Sequence, residues 1–214
     1  MIIGCAGALV WTIGFIAMFQ KPSYSDISRE LAEARDRADR LERTVADSLK
    51  RHSVAALEYI GLYDDETRIS IYVHREGRMH LIARHSRSPV LTQLGRSAFP
   101  VDQGVIGKAW ANQIGIERDL PADEGAWIEE HVDRGFDRAI AKEMKMRARS
   151  IGAIRTYTEN YSRALGVLVV ESKKPRGINK KQLIDLQGSR EFDLLCRGVD
   201  EAKSSLREAH DRQD

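Results

Sequence analysis

The feature that most constrains this chain is a repeat of apolar or small side chains at Ile27, Leu31, Ala34, Ala38, Leu41, Val45, Ser48, His52, Ala55, Tyr59 and Leu62. The spacings alternate between four and three, which is the seam of a coiled coil sustained for about five heptads. With Leu31 at an a position, Glu30 and Arg35 fall at g and e, and so do Arg37 and Glu42. Both pairs attract across a parallel dimer, so the expected first partner is a second copy of the chain. The alternative is a single amphipathic helix whose Ala-rich stripe packs on its own domain. His52 falls at an a position, where it reads as a partly exposed seam histidine, with a proton switch as the alternative.

Residues 1–20 carry no charged side chain and are dominated by Ile, Gly, Ala, Leu, Val, Trp, Phe and Met. As a helix the first nineteen would cover about 28 Å, close to the hydrocarbon thickness of a bilayer. Lys21, Arg29, Arg35, Arg37, Arg40 and Arg43 follow the run and none precedes it. A single transmembrane helix in the inner membrane is expected, with the N-terminus outside and the remaining domain cytoplasmic. Ile2 to Cys5 is similar to a lipid-attachment box but lies too near the start to have an apolar core upstream. The whole chain has 214 residues and a net charge of +2, from 34 Lys and Arg against 32 Asp and Glu, which gives no footprint for nucleic acid. Its two cysteines, Cys5 and Cys196, imply no disulfide framework.

Beyond residue 62 the period changes. Arg68 to His74 alternates Ile69, Ile71 and Val73 against Tyr72, and Met79 to His85 answers it across a Glu76, Gly77 turn. Both faces are partly apolar, as in a sheet covered by helices on each side. His74, His80 and His85 do not converge in that register, which argues against a zinc site. Ile114 to Leu120 reads as a short strand and Asp123 to Arg149 as helix interrupted near Gly135, with Ile128, Val132, Phe136, Ile140 and Met144 recurring every four residues. Two more strands, Ser150 to Thr158 and Leu165 to Ser172, are joined by a polar hairpin. Asn179 to Arg197 reads as the last amphipathic helix, before a polar tail from Glu201.

Between the strand pairs lies Phe99, Pro100, a short turn, then Gly104, Val105, Ile106, Gly107, Lys108, Ala109. This stretch, with the strand Gly166, Val167, Leu168, Val169, Val170, resembles the GAF family of small-molecule sensor domains over roughly residues 50 to 200. The expected fold is α+β: by the patterns above, a transmembrane helix over 1–20 and a coiled-coil helix over 21–62, then, as the resemblance implies, a GAF-like antiparallel sheet with helices on both faces over 63–200, and a polar tail over 201–214. The resemblance also implies a pocket over one sheet face, with Phe99, Ile106, Trp110, Trp127, His131 and Phe136 as candidate ligand-binding residues. Each of these side chains is equally suited to plain core packing. His131 admits a haem reading, although a lone histidine on an apolar helix face is usually structural.

The spacing of Gly104 and Gly107 differs from that of a phosphate loop, and no His-Glu-x-x-His, nucleophile elbow or Cys-x-x-Cys occurs. Members that bind cyclic nucleotides carry a Phe separated from Asp-Glu by three residues, where this chain has Asp119 ahead of Asp123 and Glu124. Members that reduce free methionine sulfoxide rely on pocket cysteines, and Cys196 is expected on a distal helix. The expectation is therefore a sensor and not an enzyme, with no catalytic residue, no metal and no identified cofactor. Its partners would be itself, the membrane, a small-molecule ligand and a separate output protein. The rivals are a membrane effector acting by clustering of its spans, and a ligand-free dimeric scaffold that recruits a partner.

Overall fold

The computed structural model describes residues 23–93 and 97–211. Two compact units divide the chain, residues 1–43 and 44–214. In the first, the described residues from Tyr24 on belong to the helix α1 (Tyr24–Tyr59), which continues into the second. Asp26–Arg29, Glu33–Arg37 and Asp36–Arg40 form ion pairs along its surface at 3.2, 3.9 and 2.7 Å. Such exposed pairs contribute only a few tenths of a kcal/mol each, about 0.3–0.5. Ile27, Leu31 and Leu41 are about half exposed, at 50, 51 and 49%.

In the second unit the same helix buries Val45, Leu49, Ser53, Ala56 and Leu57, and Ile60 just past its end is buried too. Ser48, His52 and Ala55 are only half-buried and Tyr59 is exposed. Over this half the buried stripe follows the 3.6-residue period of a helix packed on its own domain, and it parts from the heptad seam after Val45.

The sheet has six strands: β1 (Thr67–Arg75), β2 (Arg78–Ser86), β3 (Ala98–Pro100), β4 (Ile114–Glu117), β5 (Ser150–Tyr157) and β6 (Ala164–Ser172). Their order is β3-β2-β1-β6-β5-β4, with every neighbouring pair antiparallel. Glu76 and Gly77 have φ of 52° and 72°, the left-handed pair that a two-residue hairpin turn demands, and His74 lies opposite Met79.

Alternation along the central strands feeds two cores. Ile69, Ile71, Val73, Leu168 and Val170 pack against the second half of α1 and against α5 (Lys180–Gln187) and α6 (Arg190–Asp211). Tyr72, Ala153, Val167 and Val169 point the other way. They meet α2 (Gly104–Asn112), α3 (Glu124–Asp133) and α4 (Arg138–Glu143). Gly115 of β4 lets α2 lie directly on the strand, since a Cβ there would sit 2.5 Å from the Val105 carbonyl oxygen.

Three boundaries differ from expectation. Helix ends at Glu143, and Met144 to Arg149 run as irregular chain to β5. The last helical region is two helices: Asn179 and Gln182 form a capping box on α5, Gly188 closes it, and Ser189 Oγ accepts from the Phe192 amide to start α6. α6 then runs on to Asp211, past Glu201.

The fold class needs one correction. The antiparallel sheet with helices on both faces is present, but among the described residues no helix is long and apolar enough to cross a membrane. α1 illustrates why, since Asp26, Arg29, Glu30, Glu33 and Arg35 interrupt any apolar run within one or two turns. Residues 1–20, the expected span, lie outside the described residues. The single-pass inner-membrane reading thus has no support from the structure.

Candidate functional site

The core that faces α2, α3 and α4 encloses a cavity of about 670 Å³. β1 lines it with Arg68 and Tyr72, β2 with Arg84, β5 with Ile151, and β6 with Val169 and Glu171. The helical side contributes Val105, Ile106, Trp127, His131, Phe136, Ile140, Met144 and Met146 among others, and Gln103 stands at the start of α2. The volume falls within the usual range for small-molecule sites, and the wall joins an apolar, aromatic side to a set of charged groups.

Three aromatic residues build one wall. Trp127 is buried, and its indole N–H donates to the Ala148 carbonyl at 2.8 Å. The His131 ring stacks on Trp127 with centroids 3.6 Å apart, and Phe136 follows at 5.4 Å. His131 Nδ1 lies 2.9 Å from the Trp127 carbonyl oxygen. A carbonyl only accepts, so Nδ1 carries the hydrogen and Nε2 is the free acceptor of a neutral ring. Burial lowers the His131 pKa below 6.5, opposed by that hydrogen bond and by the charge of Glu117. Gly104, at φ 57°, presents bare backbone to the Phe136 ring, where a Cβ would approach to 2.8 Å. Gln103 Nε2 donates to the Gly135 carbonyl at 2.8 Å and ties α2 to the chain after α3.

Charged groups occupy the sheet side. Arg68 and Glu171 face each other across β1 and β6, and the guanidinium grips the carboxylate through Nε at 2.5 Å and Nη2 at 2.8 Å. Burial would lower the Arg68 pKa, but the Glu171 charge and hydrogen bonds raise it above its ordinary value. Burial and then Glu171 also raise the Tyr72 phenol. Glu117 is buried and receives Lys108 Nζ at 2.9 Å and also Arg134, which in turn pairs with Glu130 at 2.6 Å. Arg84 makes a different set of bonds. Its Nε donates to Ser70 Oγ at 3.0 Å, its Nη1 to the Gln93 carbonyl at 3.0 Å, and its Nη2 to the Tyr72 hydroxyl at 3.4 Å.

Of the residues singled out in the sequence, Phe99, Ile106, Trp127, His131 and Phe136 line this cavity. Trp110 does not; its ring packs on His74 at 4.8 Å and its carbonyl accepts from Arg155 at 2.5 Å. Asp119 pairs with Arg176, Asp123 caps α3, and Glu124 pairs with Arg147. Cys196 is buried on α6 in the opposite core, where burial pushes its thiol up to about 11. Arg68, Arg84, Glu117 and Glu171 went unnoticed in the sequence. Their signal was a charged residue at a pocket-facing register position of an otherwise apolar strand, which is readable only once the pairing is known.

A six-stranded antiparallel sheet in this order, helices on both faces and a cavity over one of them give the chain a GAF-type fold. Among solved structures, the chain is similar to a type II free methionine-R-sulfoxide reductase from Thermoplasma acidophilum. The TM-score is 0.51 and the identity 16%, over 75% of this chain and 95% of that one. It is also similar to the free methionine-R-sulfoxide reductase of Neisseria meningitidis in complex with its substrate, with TM-score 0.49, identity 16%, and coverage of 78% and 89%. The GAF domain of an Acinetobacter phosphoenolpyruvate-protein phosphotransferase gives TM-score 0.47, identity 17%, and coverage of 83% and 95%. At these identities the likeness is one of fold. No protein-family model and no curated protein matches the chain.

The expectation that the chain is not an enzyme is corrected by this comparison, because the fold is shared with a free methionine-R-sulfoxide reductase and does not set catalysis aside. Sequence reasoning looked for cysteines and contiguous motifs. His131, Glu117 and Glu171, from three separate elements, border the same cavity, and of these only His131 was expected there from the sequence.

Proposed function

We propose that the chain is a small-molecule sensor, binding its ligand in the cavity between the sheet and helices α2 to α4 and acting as a parallel homodimer joined through α1. The observation that carries the reading is the cavity itself, about 670 Å³ with Phe99, Ile106, Trp127, His131 and Phe136 on its wall. A scaffold that fills its own pocket would have collapsed side chains there, because protein interiors leave few voids larger than a water molecule. Support for the dimer comes from Ile27, Leu31 and Leu41, whose apolar side chains stand half exposed on one helix stripe, flanked by charges of complementary sign. A ligand that prefers one arrangement of the two copies would shift their equilibrium by its differential affinity, and a separate partner protein would read the result.

The test is thermal denaturation of the full chain against a metabolite panel, with native mass spectrometry for co-purified ligand. A bound compound raises the melting temperature in proportion to the logarithm of its concentration. Free methionine R-sulfoxide belongs in the panel, and its consumption would make the protein a catalyst instead. No bound species and no shift across the panel would end the sensing reading.

A further inference from the structure

We infer that the ligand is a small organic carboxylate with an apolar body, its carboxylate held by Arg84. This rests on the sensor reading of the same cavity and names the chemistry of what enters it. Charge balance singles out Arg84. Arg68 and Glu171 cancel in a bidentate pair. Lys108, Glu117, Arg134 and Glu130 form a connected group of two cations and two anions. Glu143 and Lys145 also border the cavity, but they are opposite in sign, two residues apart and exposed. The His131 ring and the Tyr72 phenol are both neutral near pH 7.

Arg84 alone among the cavity's inner charges meets only neutral oxygens, those of Ser70, Tyr72 and Gln93, and no carboxylate among the described residues. Three of its five N–H groups are engaged, so two are left to donate. It is half-buried on β2 and lies opposite Ser70 in register, on the pocket face of the sheet. A guanidinium fork matches a planar carboxylate, and a partly desolvated cation without a counter-charge is a standing cost that an anionic ligand relieves. One unbalanced positive charge calls for one negative charge. Phosphate, which carries nearly two, would ask for a second cation or a cradle of backbone N–H groups. The rest of the wall is apolar and aromatic, with Phe99, Ile106, Phe136 and Ile140 available to cover the ligand's body.

The experiment titrates the full chain with matched pairs: phenylacetate and phenylacetamide, indole-3-acetate and indole-3-acetamide, hexanoate and hexanamide, and inorganic phosphate alone. The readouts are melting temperature and calorimetric affinity. At least one carboxylate is expected to bind, at least about tenfold tighter than its amide, because the amide forfeits the charge-assisted bonds. In R84Q that preference should fall to about twofold or less, and R84K should keep part of it. The comparison of acid with amide in the wild-type protein is independent of whether R84Q folds. Amides binding as tightly as acids, or a preference unchanged in R84Q, would overturn the carboxylate assignment while leaving the sensor reading intact. Phosphate binding as tightly as any carboxylate would overturn it too. If no carboxylate binds, the assignment falls. If the wider metabolite panel is also silent, the sensor reading falls with it.

Discussion

Replacing Glu171 by Gln tests the electrostatics of the cavity floor. Glu171 and Arg68 have side chains only 12% and 8% exposed, and the two bonds between them are 2.5 and 2.8 Å. The substitution keeps the shape and leaves the Arg68 guanidinium buried opposite a neutral amide. Two unit charges about 4 Å apart at an effective dielectric near 20 attract by about 4 kcal/mol. Breaking a buried pair from one side costs about 3–5 kcal/mol in measured cases. For a domain of this size each kcal/mol moves the melting temperature by about 2–4 °C, so E171Q should melt about 6–20 °C lower. The double replacement R68M/E171L removes both charges and fills the space with apolar side chains, and it should recover most of that loss. Urea denaturation of the wild-type protein, E171Q and the double variant gives the three free energies. A loss below about 1 kcal/mol for E171Q, or a double variant no better than the single, would refute the view that the charges hold each other in place.

Trp127→Ala should cost about 3–5 kcal/mol by cavity formation, and Trp127→Phe about 1–2 kcal/mol because the Ala148 carbonyl loses its donor; denaturant midpoints give both values. His131 has its pKa lowered from 6.5 in the folded state, so below that pH the unfolded chain takes up a proton that the folded chain resists. Stability from this group is full above pH 6.5 and is lost as the pH falls below it. His52, His74 and His85 shift in the same direction, so the difference between the wild-type protein and H131Q in the pH dependence of urea unfolding isolates the His131 share. L31E/L41E should convert a dimer to a monomer in sedimentation experiments while leaving the melting of residues 44–214 unchanged, and a monomeric wild-type protein would refute the seam. With Cys5 replaced by Ser, Cys196 should react with a thiol reagent on the timescale of unfolding rather than of mixing, because it is buried and its thiol is pushed up to about 11.

What could be read in advance followed from local periodicity. The β1–β2 hairpin was legible because Glu76 and Gly77 sit between two alternating runs, and β6 because Gly166 to Val170 is a short apolar block. Five of the six chosen residues line the cavity: Phe99 on β3, Ile106 on α2, Trp127 and His131 one turn apart on α3, and Phe136 in the link between α3 and α4. Trp110 lies elsewhere for a geometric reason, one turn beyond Ile106 on a short helix, where its ring packs on His74. The charged lining was invisible because Arg68 and Glu171 are 103 residues apart and meet only through the β1–β6 register. Helix ends depended on caps, and Ser189 was not recognised as one inside an otherwise amphipathic run.

Gly115 borders no part of the cavity, yet the seat of α2 is settled there, by the want of a single methyl group. Any larger side chain at that position would lift the helix and take Ile106 with it, reshaping the chamber from behind its wall. The shape of the cavity can therefore drift through replacements on the edge strand while every lining residue stays the same. Relatives with identical linings need not share a ligand.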